Sequence, residues 1–287
     1  MKINSIDQVK SLYPHLVHAS NILVKKRGSL KPAQAKAMPR IEREYLKYIK
    51  AQLTLVGYTD EIIVKRVELL NDYYNFLAQE GYENLFTSQS KFRSTILEEF
   101  IYILFKDLIA DFCDKLKIEN NELLLGGVKA YTNLYFKSED LSSFVKDIHT
   151  GINVKDQDFA IYREMLLSIN GSDAQPINLP IIAIECKTYL DKTMLEGAIA
   201  TAEKIKSGNP YSKFYVVTET YEVDLQVDPA YSRIDQIFVL RKFSKSRQEK
   251  KDVFADVVKL LVVSVQEHLS RKWGDIESKI TNKGVVI

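Results

Sequence analysis

The spacing of apolar residues divides the chain into a helical first part and a mixed second part. Apolar positions recur every three or four residues over 41–56, 62–77 and 95–112, which is the spacing of one buried helical face. Thr95 and Glu98 have the separation of a capping box at the start of the third segment. The pattern therefore predicts three substantial helices before residue 118.

Short apolar runs with strand character replace the helical pattern after residue 120. Strands are predicted at 122–125, 130–136, 154–162, 179–189, 214–217 and 234–240. A helix predicted over 191–206 separates two of these strands, so that pair is expected to be parallel. A final amphipathic helix is predicted over 252–273. The chain is thus expected to have an α/β fold, with a mixed β-sheet flanked by helices and an N-terminal helical region.

Composition narrows the class of protein. The chain has 287 residues, and its 40 basic and 38 acidic side chains leave a net charge of only +2. Two cysteines are too few for a disulfide framework, which favours a reducing cytoplasm. Four scattered histidines argue against a zinc site, and no phosphate-binding glycine motif occurs. No apolar run approaches the ~20 residues that span a bilayer, so no membrane partner is expected.

The positive charge is concentrated in two stretches. Residues 25–40 contain six basic residues, no acidic one and two prolines, so they are expected to form a basic arm. Residues 241–251 contain six basic residues and one acidic residue. A solvated loop is the alternative for either stretch, but two of them favour contacts with phosphates. The candidate DNA-binding residues are Lys25, Lys26, Arg27, Lys31, Arg241 and Lys242.

Two of the predicted strands carry acidic residues at one end. Side chains alternate along a strand, so Glu185 and Lys187 share one face, as do Asp156 and Asp158. Polar residues at the end of a buried strand are costly unless they have partners. Carboxylates that would repel each other are suited to Mg²⁺, which needs only one or two of them when phosphate and water complete its shell. An ordinary surface ion pair is the alternative.

Lys187 is suited to a reaction at the same predicted metal site. An ammonium beside the metal could orient the attacking water and stabilise negative charge on the phosphorus, which implies phosphodiester hydrolysis. The bare Glu-x-Lys triplet is weak, because it also occurs at residues 249–251 and 277–279. Only the copy at 185–187 ends an apolar strand, follows an Asp-bearing strand and leads into a crossover helix.

This order of elements resembles the PD-(D/E)XK nuclease superfamily. More narrowly, residues 183–219, together with STILEEF, KDQDF and IDQIFVLRK in the same order, resemble the BbvCI-type restriction endonucleases. The resemblance covers about residues 91–245 and implies a restriction-endonuclease-like fold. The motif proline is absent from this sequence.

The resemblance also implies roles for residues of this chain. Asp158 would bind the metal, Glu185 would be the second carboxylate, and Lys187 would be the catalytic lysine. Asp158 is preferred over Asp156 because the family places the aspartate directly before phenylalanine. Glu99 aligns with a glutamate on the helix before the sheet that superfamily members often direct to the metal. A salt bridge or a helix-dipole contact is the alternative for Glu99.

The expected function is that of a type II restriction endonuclease. The family implies Mg²⁺-dependent hydrolysis of double-stranded DNA, 5′-phosphate and 3′-hydroxyl ends, and a site related to CCTNAGC. Two sites are needed to cut a duplex, so a homodimer or a heterodimer with a related subunit is expected. Residues 1–90 would form the N-terminal helical region and residues 91–287 the catalytic domain. A repair or recombination nuclease of the same superfamily and a non-catalytic DNA-binding protein are the alternatives.

Overall fold

The computed structural model describes residues 3–86, 91–119, 122–146, 149–169, 173–242, 249, 251–274 and 276–284. The helices in these ranges are α1 (Ile6–Leu12), α2 (Val17–Arg27), α3 (Pro32–Thr54), α4 (Asp60–Gln79), α5 (Ser94–Leu116), α6 (Leu141–Lys146), α7 (Lys192–Gly208), α8 (Ala255–Ser270) and α9 (Ile276–Lys283). The strands are β1 (Leu124–Lys137), β2 (His149–Leu167), β3 (Gln175–Lys187), β4 (Lys213–Thr218) and β5 (Gln236–Val239).

The strands form one sheet in the order β1-β2-β3-β4-β5. The β1–β2 and β2–β3 pairs are antiparallel, while the β3–β4 and β4–β5 pairs are parallel. Helix α7 is the crossover between β3 and β4, as the sequence predicts. The predicted mixed sheet flanked by helices is confirmed.

The predicted strands at 122–125 and 130–136 are one long strand, β1, rather than two strands joined by a turn. The pairing with β2 changes register between Gly126 and Val128, so the glycines form an irregularity inside the strand. Gly126 has φ +131°, a conformation that side-chain-bearing residues rarely adopt. A Cβ on Gly127 would lie 3.3 Å from the Asp158 carbonyl oxygen. Glycine therefore lets β1 approach β2 closely beside Asp158.

Alternate residues of β3 enter two different cores. Ile182, Ile184 and Cys186 belong to a large apolar cluster that also contains residues of α5 and α8. Ala183 belongs to a smaller cluster under α7. This alternation follows from the two-residue period of a strand, and it places Glu185 on the α7 face.

The large cluster crosses the expected boundary at residue 90. Leu70 of α4, Phe100 of α5 and Val262 of α8 are all members of it. The N-terminal helices are therefore packed on the same core as the sheet. No helix in the described part of the chain is long and apolar enough to span a membrane.

The expected basic arm at 25–40 is wrong. Lys25–Arg27 form the last turn of α2, and α3 already begins at Pro32. Proline is well tolerated at the first position of a helix, because the missing N–H has no intrahelical partner there. Pro39 lies inside α3, where the buried side chains of Ala37 and Ile41 hold the helix against the core.

The expected capping box of α5 is also wrong. The N-cap of this helix is Arg93 rather than a residue of the Thr95 pair. The Thr95 hydroxyl donates to the carbonyl oxygens of Lys91 and Phe92. The side-chain hydrogen bond of Glu98 is to Ser94, one turn earlier in α5.

A buried guanidinium joins three of the N-terminal elements. Arg66 of α4 is fully buried and donates to the Gln52 carbonyl at 2.9 Å and to the Leu55 carbonyl at 2.7 Å. Its other partner is the Asp107 carboxylate of α5, at 3.1 Å. The end of α3 is thus fixed to α4 and α5 by one side chain.

Replacement of Arg66 is expected to destabilise the fold strongly. Arg66→Ala removes the ion pair with Asp107 and the hydrogen bonds to the Gln52 and Leu55 carbonyl groups, and loss of one partner of a buried ion pair costs about 3–5 kcal/mol. The free energy of unfolding in urea measures this loss. The exposed neighbour Lys65 supplies the matched control, because Lys65→Ala should change it by less than about 0.5 kcal/mol. Equal losses in the two variants would contradict this account.

Candidate active site

The site begins where two strands diverge. The last paired residues of β2 and β3 at this end are Phe159 and Ile184, although both strands continue. Beyond that pair the Asp158 carboxylate accepts a hydrogen bond from the Cys186 N–H at 2.9 Å. A side chain thus replaces the missing ladder bond and places Asp158 beside Glu185. The thiol of Cys186 is buried in the core on the opposite face.

Glu185 and Lys187 form an ion pair on β3. The Lys187 Nζ lies 2.6 Å from Glu185 Oε1, and both side chains remain partly accessible. Burial disfavours the charged ammonium, but the Glu185 carboxylate outweighs that effect and raises the pKa of Lys187 above its ordinary value. Lys187 therefore stays protonated at neutral pH. Glu185 Oε2 is buried and has no hydrogen-bond partner among the described residues.

A third carboxylate reaches this cluster from α5. Burial, followed by the negative charge of Asp158, raises the pKa of Glu98 to about 7. The positive charges of Lys91 and Lys187 act in the opposite direction. Glu98 is thus electrostatically coupled to both predicted strands. The sequence carried a signal for this placement, since Glu98, Tyr102 and Lys106 form the less buried row of an otherwise buried helix.

Glu99 does not join the cluster. Its carboxylate is 1% exposed and accepts hydrogen bonds from the backbone N–H groups of His18 and Ala19 and from the Tyr45 hydroxyl. Consecutive helical residues are about 100° apart, so Glu98 and Glu99 cannot face the same side. The expectation that Glu99 points to the metal site is therefore corrected by the structure, which brings Glu98 there instead.

The competing aspartate lies outside the cluster. Asp156 is exposed on β2, where its register partner is Lys129 of β1. The Cys186 N–H binds Asp158. The geometry thus favours Asp158, although both aspartates were expected to share a face.

The carboxylates fit a divalent cation with oxygen ligands. Within the described ranges no group of three or more His, Cys, Asp or Glu side chains is arranged to hold a metal ion. Mg²⁺ needs only one or two carboxylates when water and phosphate supply the rest of its shell. Asp158 and Glu185 could supply them, and the unpartnered, buried Glu185 Oε2 is a suitable donor atom.

Two of the predicted DNA-binding lysines flank the corner between α2 and α3. Lys25 Nζ lies 5.2 Å from the centre of the Phe86 ring, and Lys31 is exposed directly before α3. Gln34 fixes this corner by donating to the Leu85 carbonyl at 2.7 Å. The corner therefore packs on residues that precede α5 in the chain.

Two other cations of this stretch already have acidic partners. Lys26 pairs with Glu42 at 2.8 Å, and Arg27 pairs with Asp7 at 2.7 Å. Arg27 and Asp7 are both exposed and Lys26 is about half exposed, so water can compete for these contacts. These two residues are less available to phosphates than an unpaired cation would be.

The prediction that Arg241 contacts DNA is contradicted. Arg241 is 6% exposed, and its Nε donates to Glu219 at 2.9 Å. Arg93 shares the same Glu219 oxygen at 2.8 Å, and the Arg241 guanidinium lies over the Tyr74 ring. This buried network joins the start of α5 to the ends of β4 and β5.

Lys242 occupies a partly exposed position next to that network. Its ammonium pairs with Asp256 at the start of α8 and lies 4.9 Å from the centre of the Phe254 ring. The rest of the second basic stretch, residues 243–248 and 250, lies outside the described residues.

Comparisons with known proteins bear on the family and the fold of the chain. A family model described as Bpu10I restriction endonuclease matches residues 89–282. A solved structure of native BbvCI, described as an A2B2 tetramer, shares 23% identity and superimposes with a TM-score of 0.69. That match covers 90% of this chain and 96% of the other, and shows a common fold. No curated protein matches the chain.

The charge of Asp158 should be visible in the titration of Glu98. Asp158→Asn removes one cause of the raised pKa, so the midpoint of Glu98 should move below about 7. Burial remains, so the midpoint should stay above the ordinary value. ¹³C NMR of the side-chain carboxyl measures it.

Asp156→Asn is the matched control for this titration. It removes the same charge two residues away, at an exposed position. An equal movement of the Glu98 midpoint in both variants would mean that Asp158 is not its specific partner.

Proposed function

The chain belongs to the Bpu10I restriction endonuclease family, and we propose that it hydrolyses DNA with the help of Mg²⁺, in an active site formed by Asp158, Glu185 and Lys187. It is a type II site-specific deoxyribonuclease. The products of the proposed reaction are 5′-phosphate and 3′-hydroxyl ends. The observation that carries the proposal is the convergence of two carboxylates and a protonated lysine where β2 and β3 diverge.

Asp158 and Glu185 are the proposed metal ligands. Asp158 is oriented by the Cys186 N–H, and Glu185 offers an oxygen without a protein partner among the described residues. A bound Mg²⁺ would supply Lewis-acid chemistry, polarising the scissile phosphate and lowering the pKa of an attacking water. The protein holds the two carboxylates in place before DNA arrives, which lowers the cost of ordering them.

Lys187 has a separate role in the proposal. Its pKa is raised, so it is a poor proton acceptor and a good electrostatic partner for an anion. In the free protein its ammonium is paired with Glu185 at 2.6 Å. In the complex we assign it to orienting the attacking water and stabilising the charge that develops on the phosphorus.

Glu98 replaces Glu99 as the helix glutamate of the proposed site. It lies in the first turns of α5, and the charges of Asp158 and Lys187 both affect its pKa, Asp158 raising it and Lys187 lowering it. A third carboxylate there would be suited to hold a water molecule by a hydrogen bond or to accept a proton from it. Its loss should therefore impair cleavage more than DNA binding.

The α2–α3 corner is the proposed contact with DNA phosphates near the site. Phe86, under Lys25, stacks on Phe92 with ring centres 4.3 Å apart. Phe92 follows Lys91 in the chain, and the positive charge of Lys91 lowers the pKa of Glu98. The cations Lys25, Lys26, Arg27 and Lys31 therefore lie at the end of the molecule where α5 begins.

Duplex cleavage requires a second active site. One such site cuts one strand, so we propose that two subunits act together, as a homodimer or as a heterodimer with a related subunit. The BbvCI structure is described as an A2B2 tetramer, which supports an assembly of this kind. A recognition sequence related to CCTNAGC and a cytoplasmic location, where Cys113 and Cys186 would remain thiols, belong to the same proposal.

Digestion of sequenced DNA tests the proposal directly. Plain plasmid DNA is incubated with the protein and Mg²⁺, with a related subunit added where one is encoded nearby, and the ends are mapped. Discrete fragments with 5′-phosphate and 3′-hydroxyl ends are expected. Cleavage confined to branched or damaged DNA would indicate a repair nuclease, and binding without cleavage would indicate a protein that only binds DNA.

Lys187→Ala is expected to reduce the cleavage rate by at least about 100- to 1,000-fold, because it removes the charge facing the transition state. DNA affinity, measured by fluorescence anisotropy with Ca²⁺, should stay nearly unchanged. Lys115→Ala, at the opposite end of α5, is the control and should cleave normally. Persistent cleavage by Lys187→Ala would show that the proposed mechanism is wrong.

Neutralising Lys31 tests the DNA contact. Each phosphate contact contributes about −0.9 to the slope of log affinity against log salt. Lys31→Gln should therefore make this slope less negative by about 0.9, as measured by anisotropy with a cognate duplex. Lys115→Gln removes the same charge at the far end of α5 and should leave the slope unchanged. Equal slopes for wild type and Lys31→Gln would exclude the contact.

A further inference from the structure

The buried Glu99 caps a helix that is distant in sequence. The N-cap residue of α2 is Leu16, whose side chain has no polar atom to bind the first N–H groups of the helix. Glu99 Oε2 accepts from two of these groups, the His18 N–H at 2.9 Å and the Ala19 N–H at 3.1 Å. The carboxylate also complements the positive end of the helix dipole. Glu99 thus performs across the core what an N-cap side chain normally does locally.

Two further contacts hold the same face of α5. The Tyr45 hydroxyl of α3 donates to Glu99 Oε1 at 2.9 Å. The His18 Nδ1 lies 3.0 Å from the Thr95 hydroxyl, one turn earlier on α5. The first turns of α5 are therefore fixed by directional bonds from α2 and α3.

These bonds set the rotation of α5 about its own axis. A carboxylate is an expensive group to bury, and burial raises the pKa of Glu99 to about 7. An apolar residue would anchor the helix more cheaply, but apolar contacts tolerate small rotations. A rotation that broke the Glu99 bonds would leave buried donors unpaired, so it is disfavoured.

We propose that Glu99 is a positioning residue, which holds the neighbouring Glu98 against Asp158 and so couples the N-terminal helices to the catalytic site. The inference rests on the proposed role of Glu98. Because the two residues are adjacent on one rigid helix, the direction of Glu98 follows from the direction of Glu99. The N-terminal region then contributes to catalysis through α5, in addition to its proposed contacts with DNA.

Glu99→Ala tests this coupling. Loss of groups that orient metal ligands typically costs about 10- to 100-fold in activity or metal affinity. We expect kcat to fall and the half-saturating Mg²⁺ concentration to rise within that range, while KM for DNA changes little. Mn²⁺ binding to the protein without DNA, followed by EPR, should weaken in parallel. Glu99→Gln keeps an oxygen for both backbone N–H groups and should recover most of the rate.

Leu77→Ala is the control for stability alone. Leu77 lies in α4, is 2% exposed and belongs to the same apolar cluster. This variant should lower the melting temperature but leave kcat and Mn²⁺ binding near wild type below that temperature. If Glu99→Ala fails to fold, Tyr45→Phe removes one of the three hydrogen bonds and should show the same changes in weaker form.

A double-mutant cycle separates this inference from the proposed function. If Glu99 acts through Glu98, the variant Glu98→Ala/Glu99→Ala should cleave no more slowly than Glu98→Ala. An additional loss in the double variant, or kinetics of Glu99→Ala that match Leu77→Ala, would overturn the positioning role alone. Full cleavage by Glu98→Ala would overturn the proposed role of Glu98 and the coupling with it.

Discussion

The arrangement of the candidate site depends on one hydrogen bond, from the Cys186 N–H to the Asp158 carboxylate. Two strands that stop pairing leave backbone groups without partners, and a buried N–H without an acceptor is costly. Asp158 satisfies that N–H and is thereby held beside Glu185. The divergence of β2 and β3 thus leaves a backbone N–H that fixes one carboxylate at the end of the paired strands.

Helix α5 makes this local arrangement dependent on distant parts of the chain. Its buried residues pack on the sheet and on the N-terminal helices, which share one apolar cluster. Glu219, which binds Arg93 and Arg241, fixes the start of α5 to the ends of β4 and β5. Directional polar contacts on two sides therefore determine where Glu98 lies, while apolar packing supplies most of the cohesion.

The small net charge of +2 does not show that acidic and basic side chains are concentrated in different places. Asp158 and Glu185 lie together at the ends of the paired strands, and several cations lie at the α2–α3 corner near the start of α5. One of the predicted cations, Arg241, neutralises a buried glutamate instead. A residue's charge could be read from the sequence, but its partner could not, because that partner is 22 residues away on another strand end.

The sequence by itself determined the types of the elements from residue 41 to β5, the parallel crossover through α7, and the shared face of Glu185 and Lys187. These depend on periodicity within a short segment, which neighbouring residues control. Tertiary structure decided that Glu98 rather than Glu99 reaches the site, and that residues 25–40 are largely helical. The partners of Glu99 are 81 and 80 residues away in the chain. Which face of a helix is polar can be read locally, but what that face meets depends on how distant elements pack.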